Sequence, residues 1–102
     1  MKITLPVAVA AALVALPVFA AEPKPTTRAE QSFLNEAARG GMMEVELGRV
    51  ATQNASNDRV KEFGQRMVDD HSKANDDLKG LASRENVTLP TAVSKYEQKQ
   101  ID

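Results

Sequence analysis

Two long stretches of the chain place apolar residues at helical spacing, and only a short polar segment separates them. The first covers residues 28–53, the second covers residues 60–82, and the turn-forming segment QNASN lies between them at residues 53–57. The apolar and small positions of the second stretch are Val60, Phe63, Gly64, Met67, Val68, Ala74, Leu78, Leu81 and Ala82. Long amphipathic helices joined by a short connection pack side by side in opposite directions. The pattern therefore predicts an all-α fold, an antiparallel helical hairpin.

Local capping signals predict where the helices begin and end. The start signals, in chain order, are Thr27 with Glu30, then Ser56 or Asn57, then Ser94 with Glu97. A threonine or serine three residues before a glutamate forms a capping box, and a serine or asparagine alone can cap a helix through its side-chain oxygen. The segment NVTLP at residues 86–90 is expected to stop the second helix, because the residue before a proline resists the α region. A short third helix is expected to start near residue 94.

The predicted first helix has a face of unusually small residues. At about 100° per residue, one arc contains Phe33, Ala37, Gly41, Leu47, Gly48 and Ala51, with Leu34 and Val45 at its border. A glycine inside a helix costs about 1 kcal/mol relative to alanine. Gly40, Gly41 and Gly48 therefore indicate close approach of another backbone, or room around a buried group.

The N-terminal segment has the features of a secretory signal peptide. Lys2 supplies the positive charge, an apolar run follows, and Val18-Phe19-Ala20 places small residues before a cleavage site after Ala20 or Ala21. The apolar run is also about long enough for a membrane anchor, but its two prolines and its small-residue exit favour cleavage. We therefore predict a signal peptide at residues 1–21, a flexible leader at 22–27 and a helical domain at 28–102. The mature protein is expected to be exported, and periplasmic in a Gram-negative bacterium.

Composition excludes several partners and forms of stabilisation. With Lys2 removed, 12 of the 13 basic residues and all 14 acidic residues remain, so the net charge is −2. The charges are interspersed, whereas nucleic-acid binding needs a basic patch, so no nucleic-acid partner and no stable membrane insertion after cleavage are expected. The chain has no cysteine and therefore no disulfide. A domain this small has a modest core, which makes a helical partner or a homodimer an expectation.

Glu44 and His71 are the candidate site residues, because each is polar within an apolar stripe. Glu44 lies eleven residues after Phe33, and His71, the only histidine, lies eleven residues after Val60, which is close to three helical turns. A buried carboxylate needs a cation, a metal or a proton. The spacing favours a structural role, either a Glu–His ion pair or a histidine that satisfies a hydrogen bond in the core. The alternative is that both residues are ligands of iron, manganese or another transition metal, with Asp70 and Asn75 as candidates to hydrogen-bond the ligands.

Other chemistry has less support. A di-iron centre of the four-helix type wants Glu-x-x-His, and Val68 occupies the glutamate position before His71. Met67 and His71 share a face, with Met42 and Met43 elsewhere, so a Cu(I) site is an alternative, although methionine at core spacing is usually packing. The aspartates Asp69, Asp70, Asp76 and Asp77 lack the loop and glycine of a calcium site. No nucleophile with a paired base is evident, and the sequence does not predict an enzyme.

Three separated motifs resemble a known family. They are AARGGMMEVELG at residues 37–48, VKEFG at 60–64 and MVDDHSKAN at 67–75. They are similar to the family called domain of unknown function 4142, over residues 31–90. The resemblance implies a ferritin-like four-helix bundle in an exported bacterial protein without an assigned activity. It matches Glu44 to an inward-facing glutamate of the family and His71 to its Asp-His motif.

Members of that family usually continue into a second helical pair with another Asp-His motif, whereas this sequence ends as its third helix begins. We therefore expect half of a four-helix bundle: a truncated copy, or a hairpin that pairs with a second copy. Three functions follow as hypotheses. The first is a non-catalytic, envelope- or stress-associated helical module. The second is a metal-binding or redox protein using Glu44 and His71 across a dimer. The third is a periplasmic holdase chaperone.

Overall fold

The computed structural model describes residue 22 and residues 24–102, and in that part of the chain the fold is all-α. Helix α1 is Arg28–Asn54, helix α2 is Asp58–Arg84 and helix α3 is Lys95–Ile101. Helices α1 and α2 pack as an antiparallel hairpin, and α3 packs against α1. The predicted hairpin and short third helix are confirmed. The predicted signal peptide lies outside the described residues, among which no helix has both the length and the apolar character needed to cross a bilayer.

The three helix starts follow the predicted capping chemistry. The Thr27 N–H donates to Glu30 Oε2 at 2.7 Å, and the Glu30 N–H donates to Thr27 Oγ1 at 3.2 Å. The Ser94 and Glu97 pair repeats this box at α3, with distances of 2.6 and 3.2 Å. At α2 the Asn57 side chain accepts from the Arg59 N–H at 2.9 Å. Each cap satisfies backbone donors that the first helical turn leaves without a partner.

The end of α2 is made by Asn86 rather than by the proline. Asn86 has a φ of 54°, in the left-handed region. The Val87 N–H donates to the Ala82 carbonyl at 2.8 Å and the Asn86 N–H to the Ser83 carbonyl at 3.4 Å. This is the Schellman arrangement, in which a left-handed residue turns the chain back over the last helical turn. The prediction that NVTLP ends the helix is right in place, but the proline is not the physical cause.

The hairpin is held together by small residues at a close backbone contact. Gly48 and Gly64 are buried. A methyl group built on Gly48 would lie 2.7 Å from the Gly64 carbonyl oxygen, and one on Gly64 would lie 2.7 Å from the Gly48 carbonyl oxygen. A Cβ on Gly41 would collide with the Asn75 side-chain amide. The expected close approach of another backbone is therefore confirmed at Gly48. At Gly41 the close neighbour is the Asn75 side chain, and at Gly40 the expectation is wrong, because Gly40 has open space beside it.

The buried stripe of α1 is rotated from the predicted arc. It consists of Ala38, Gly41, Val45 and Gly48. Phe33, expected on that face, is 70% exposed, and Leu47 is also exposed. The reason is steric, because helices that touch at their glycines leave no room between them for phenylalanine or leucine. Among the described residues, the buried hydrophobic side chains are only Ala38, Val45 and Ala82.

The segment after α2 covers one side of the hairpin. The Gln31 side chain donates to the Thr88 carbonyl at 2.9 Å, which ties the segment to the start of α1. Ala92 and Val93 share a cavity with Val45 of α1 and Asn75 of α2, and Leu89 shares another with Met42. Residues 89–98 therefore lie along this side. Among the described residues, the opposite side is covered only at the end where α1 begins, where Lys24, Pro25, Thr26 and Val87 line a cavity with Phe33 and Leu81.

Candidate functional site

The side of the hairpin opposite residues 89–98 carries a continuous apolar stripe on each helix, and we call it the open face. From α1 it contains Phe33, Ala37, Gly40, Glu44, Leu47 and Ala51. From α2 it contains Val60, Phe63, Met67, His71, Ala74 and Leu81. Leu78 lies at its border, because Leu78 also lines a cavity with Met42 and Leu89 on the covered side. With Leu78 included, successive members are three or four residues apart, which is the spacing of a bundle core. None of these residues is buried, and Phe33 and Phe63 are 70% and 61% exposed.

Direct contacts fix how the two stripes are aligned. Glu44 contacts His71, and a Cβ on Gly48 would lie 3.2 Å from Met67 Cβ. Phe33 and Leu81 line one cavity at the end of the hairpin where α1 begins. Because the helices are antiparallel, Phe33 and Leu81 form one end of the open face and Val60 and Phe63 form the other end. The polar pair lies midway between these ends.

Glu44 and His71 contact each other on the open face. His71 Nδ1 lies 2.8 Å from Glu44 Oε2, and the side chains are 31% and 44% exposed, respectively. The expected juxtaposition of the two residues is confirmed. Their expected burial is wrong for the described part of the chain, because no described residue packs over the pair. The imidazole Nε2 and the second carboxylate oxygen lie outside this contact and remain able to bind another group.

Asp70 and Asn75, the two other predicted site residues, have different environments. Asp70 is exposed on α2. The side-chain amide of Asn75 lies against Gly41, one turn of α1 away from Glu44. In the described part of the chain, no hydrogen bond joins either residue to Glu44 or His71. The predicted hydrogen bonds from Asp70 and Asn75 to the candidate metal ligands are therefore not formed in the described part of the chain.

Among the described residues, the polar pair has no third candidate metal ligand beside it. Within residues 22 and 24–102, no group of three or more histidine, aspartate and glutamate side chains is close enough to bind one ion. Glu44 and His71 together supply one carboxylate and one imidazole, whereas transition-metal sites take at least three protein ligands. Met42 faces the segment at Leu89 and Pro90. It therefore lies on the covered side of the hairpin, away from Met67 and His71.

The open face itself is the feature that sequence reasoning missed. The apolar arc of α1 is wide enough to hold two adjacent stripes, and we assigned it to a single contact. A signal was present in the sequence, because Phe33, Ala37, Gly40, Glu44, Leu47 and Ala51 alternate in steps of four and three residues, and the buried stripe repeats this pattern one position later. Two such stripes on one helix indicate two packing partners.

Comparison with known proteins identifies a family but no individual relative. A family model described as "Domain of unknown function (DUF4142)" matches residues 15–102. No curated protein and no solved structure was found to match the chain.

Proposed function

The chain belongs to the DUF4142 family, whose function is unknown, and we propose that it is a non-catalytic, exported helical module that acts by binding another helical element through its open face. The observation that carries this proposal is that the small hydrophobic side chains are buried and the large ones are exposed, the reverse of an ordinary protein core. The small ones, Ala38, Val45 and Ala82, are buried in the hairpin, whereas Phe33, Phe63 and Leu81 are exposed on the open face.

The free energy that burial of this face would contribute is large for so small a domain. Burying a phenylalanine or leucine side chain contributes about 1.5–3 kcal/mol. A 5–15 kcal/mol net stability is typical of a domain. Three such side chains, together with Val60 and Leu47, therefore represent an amount comparable with the whole stability of a protein. Contiguous exposed apolar surface of this kind marks an interaction site.

The polar pair on this face supports a structural role more simply than a catalytic one. Glu44 and His71 contact each other at 2.8 Å, so each has a polar neighbour on an apolar face. A partner laid over the face would desolvate both groups together and leave the carboxylate with the polar neighbour that a buried carboxylate requires. Export is supported by the apolar N-terminal run with its small-residue exit. It is tested by the N-terminal mass of the protein recovered from the extracytoplasmic fraction.

The experiment that tests the module is association measured by size exclusion with light scattering. Phe63→Glu places a charge on the open face and is expected to abolish association, with helicity by circular dichroism unchanged. Glu62→Gln, at the neighbouring exposed position of α2 and outside the open face, is the matched control and should associate like the wild type. The proposal would be contradicted by a wild-type chain that is a stable monomer and binds no helical partner.

A metal-binding or redox function is the second candidate, and the 2.8 Å contact between Glu44 and His71 favours it. Two copies facing each other would supply two carboxylates and two imidazoles, a donor set that suits iron, manganese or zinc. This candidate predicts metal retained through purification, measured by elemental mass spectrometry. Glu44→Ala and His71→Ala should lose the metal, whereas Glu46→Ala, elsewhere on α1, should keep it. A metal-free protein after incubation with these ions rules the candidate out.

The open face would also serve a holdase, which binds the exposed apolar segments of unfolded proteins. This third candidate predicts that the chain suppresses aggregation of a denatured client, and that Phe63→Glu weakens the suppression. Equal suppression by the wild type and by Phe63→Glu would separate the open face from any chaperone activity.

A further inference from the structure

We propose that the occupant of the open face is a second copy of this chain, related by a two-fold axis parallel to the helices, so that each Glu44–His71 pair meets the partner's pair at the centre of a four-helix bundle. This inference rests on the proposed function, because it names the partner of the same surface.

Among the described residues, Lys24, Pro25 and Thr26 line a cavity with Phe33 and Leu81 at one end of the open face, whereas the polar pair and the Val60–Phe63 end have no covering element. Residues 89–98 lie on the opposite side, where Ala92 and Val93 share a cavity with Val45 and Leu89 shares one with Met42. The Gln31 hydrogen bond to the Thr88 carbonyl holds the chain just before that segment. If this segment folded across the open face, it would leave the side that it covers now. The segment therefore cannot cover both sides of the hairpin at once.

The size of the open face is that of one side of a stable interface. Each helix has 27 residues, and at 1.5 Å per residue it is about 40 Å long. Two helices side by side are about 20 Å wide, so the face measures on the order of 800 Å². That is the area which each partner buries in an interface of standard size. A second hairpin of the same dimensions covers it completely.

The arrangement of residues along the face is symmetric about the polar pair. Phe33 lies eleven residues before Glu44 on α1, and Val60 lies eleven residues before His71 on α2. Because the helices are antiparallel, these two apolar residues are about three turns from the pair in opposite directions. His71 is also the central residue of α2, which spans Asp58–Arg84. A second copy centred on the pair therefore overlaps the first along the whole length of the face.

Charge complementarity selects the direction of the two-fold axis. With the axis parallel to the helices, α1 lies over the partner's α2 at equal height, and Glu44 faces the partner's His71. With the axis across the helices, α1 lies over the partner's α1, and the two Glu44 carboxylates face each other. Two carboxylates in a desolvated core repel each other strongly, whereas an imidazole can donate an N–H to a carboxylate. The parallel axis is therefore favoured.

The hydrogen-bonding capacity of the four groups matches this alternation. Each imidazole has two nitrogens and each carboxylate has two oxygens. Within one copy, His71 Nδ1 and Glu44 Oε2 are already paired at 2.8 Å. This leaves His71 Nε2 and the second Glu44 oxygen for the partner. With both imidazoles protonated, each has two N–H donors for the accepting carboxylate oxygens, and two copies close a ring of four contacts, two within the chains and two between them. A buried polar layer that is satisfied only in one alignment fixes the register of a helical bundle.

Distance measurement between identical labels distinguishes the two axes. The native chain has no cysteine, so Ser56→Cys in the exposed turn, or Ser83→Cys near the end of α2, carries a single nitroxide label. Ser56 lies twelve residues after Glu44, and Ser83 lies twelve residues after His71. Each position is therefore about 18 Å along the helix axis from the polar pair. A parallel axis keeps like positions at the same end, at about 20 Å, whereas a crossed axis separates them by about 40 Å. We expect the short distance at both positions, and its loss when Phe63→Glu is added.

The outcomes separate this inference from the proposed function. The long distance at both positions, with the dimer still sensitive to Phe63→Glu, overturns the axis while the open face remains the binding surface. A wild-type monomer that still captures another helical protein through the open face overturns the second copy as occupant. A dimer insensitive to Phe63→Glu overturns both proposals. A dimer that forms only with added metal, and dissociates in chelator, replaces the ring of contacts with the metal-binding candidate.

Discussion

At the scale of single residues, the contact between Gly48 and Gly64 decides how close the two helices lie. A methyl group on Gly48 would lie 2.7 Å from the Gly64 carbonyl oxygen, and backbone cannot move aside as a flexible side chain can. Overpacking of this kind costs about 1–3 kcal/mol. We predict that Gly48→Ala lowers the free energy of unfolding by that amount, measured by urea denaturation followed by circular dichroism.

Gly80→Ala is the matched control for this substitution. The nearest atom to a Cβ on Gly80 is the Arg84 Nη1, at an ordinary contact distance of 3.6 Å. There the gain in helix propensity, about 1 kcal/mol, is unopposed. Gly80→Ala should therefore raise the urea midpoint while Gly48→Ala lowers it. Equal midpoints for the two variants would show that the helices do not touch at their glycines.

At the scale of helices, the capping box of α1 makes stability depend on pH. The Thr27 N–H and hydroxyl, as partners of the Glu30 carboxylate, lower the pKa of Glu30 below its ordinary value of 4.5. A carboxyl group with a lowered pKa in the folded state stabilises the fold above that ordinary value, and the contribution is lost as the pH falls through the lowered one. Glu30→Gln should therefore destabilise the hairpin at neutral pH and flatten its loss of stability in acid.

Thermal unfolding at neutral pH and in acid, down to well below 4.5, measures this dependence. Glu36→Gln, at another exposed position of α1, is the control and should keep the wild-type slope. The Ser94–Glu97 box adds a similar slope for α3, because the Ser94 N–H and hydroxyl lower the pKa of Glu97. A Glu30→Gln variant with an unchanged slope would contradict the assignment to α1.

The elements could be predicted from the sequence because their ends depend on local chemistry. Thr27 with Glu30 and Ser94 with Glu97 form their boxes within four residues of chain, and Asn57 caps α2 as expected. The stop at Asn86 was placed correctly but explained wrongly. A left-handed asparagine depends on how the chain turns back over the helix, which the following proline does not reveal.

The packing face could not be predicted with the same success, because it depends on which of two neighbouring stripes meets the other helix. Val45 and Gly48 belong to one stripe, Glu44 and Leu47 to the other, and both are apolar enough to be buried. The glycine contact selects the first stripe. The juxtaposition of Glu44 with His71 was predictable since both stripes share the same turn and register. Their exposure depends on what covers the face, and no described residue packs over the pair.

At the scale of the whole molecule, the described chain is a layer of two helices with one covered side and one open side. Its largest apolar side chains are on the open side, so its stability and its association are coupled through the same surface. The Glu44–His71 pair makes this coupling specific, because an apolar interface alone would tolerate several alignments whereas a polar layer is satisfied in few.

An exchange of the two charged groups tests this coupling. Glu44→His leaves two imidazoles on the open face of each chain, and His71→Glu leaves two carboxylates. Each variant alone should associate at least tenfold more weakly than the wild type, because like groups meet in the interface. A mixture of the two variants places each carboxylate against an imidazole again and should form a heterodimer, detected by native mass spectrometry. Helicity of each variant, followed by circular dichroism, controls for loss of folding. Wild-type association of either variant alone would show that Glu44 and His71 lie outside the interface between copies.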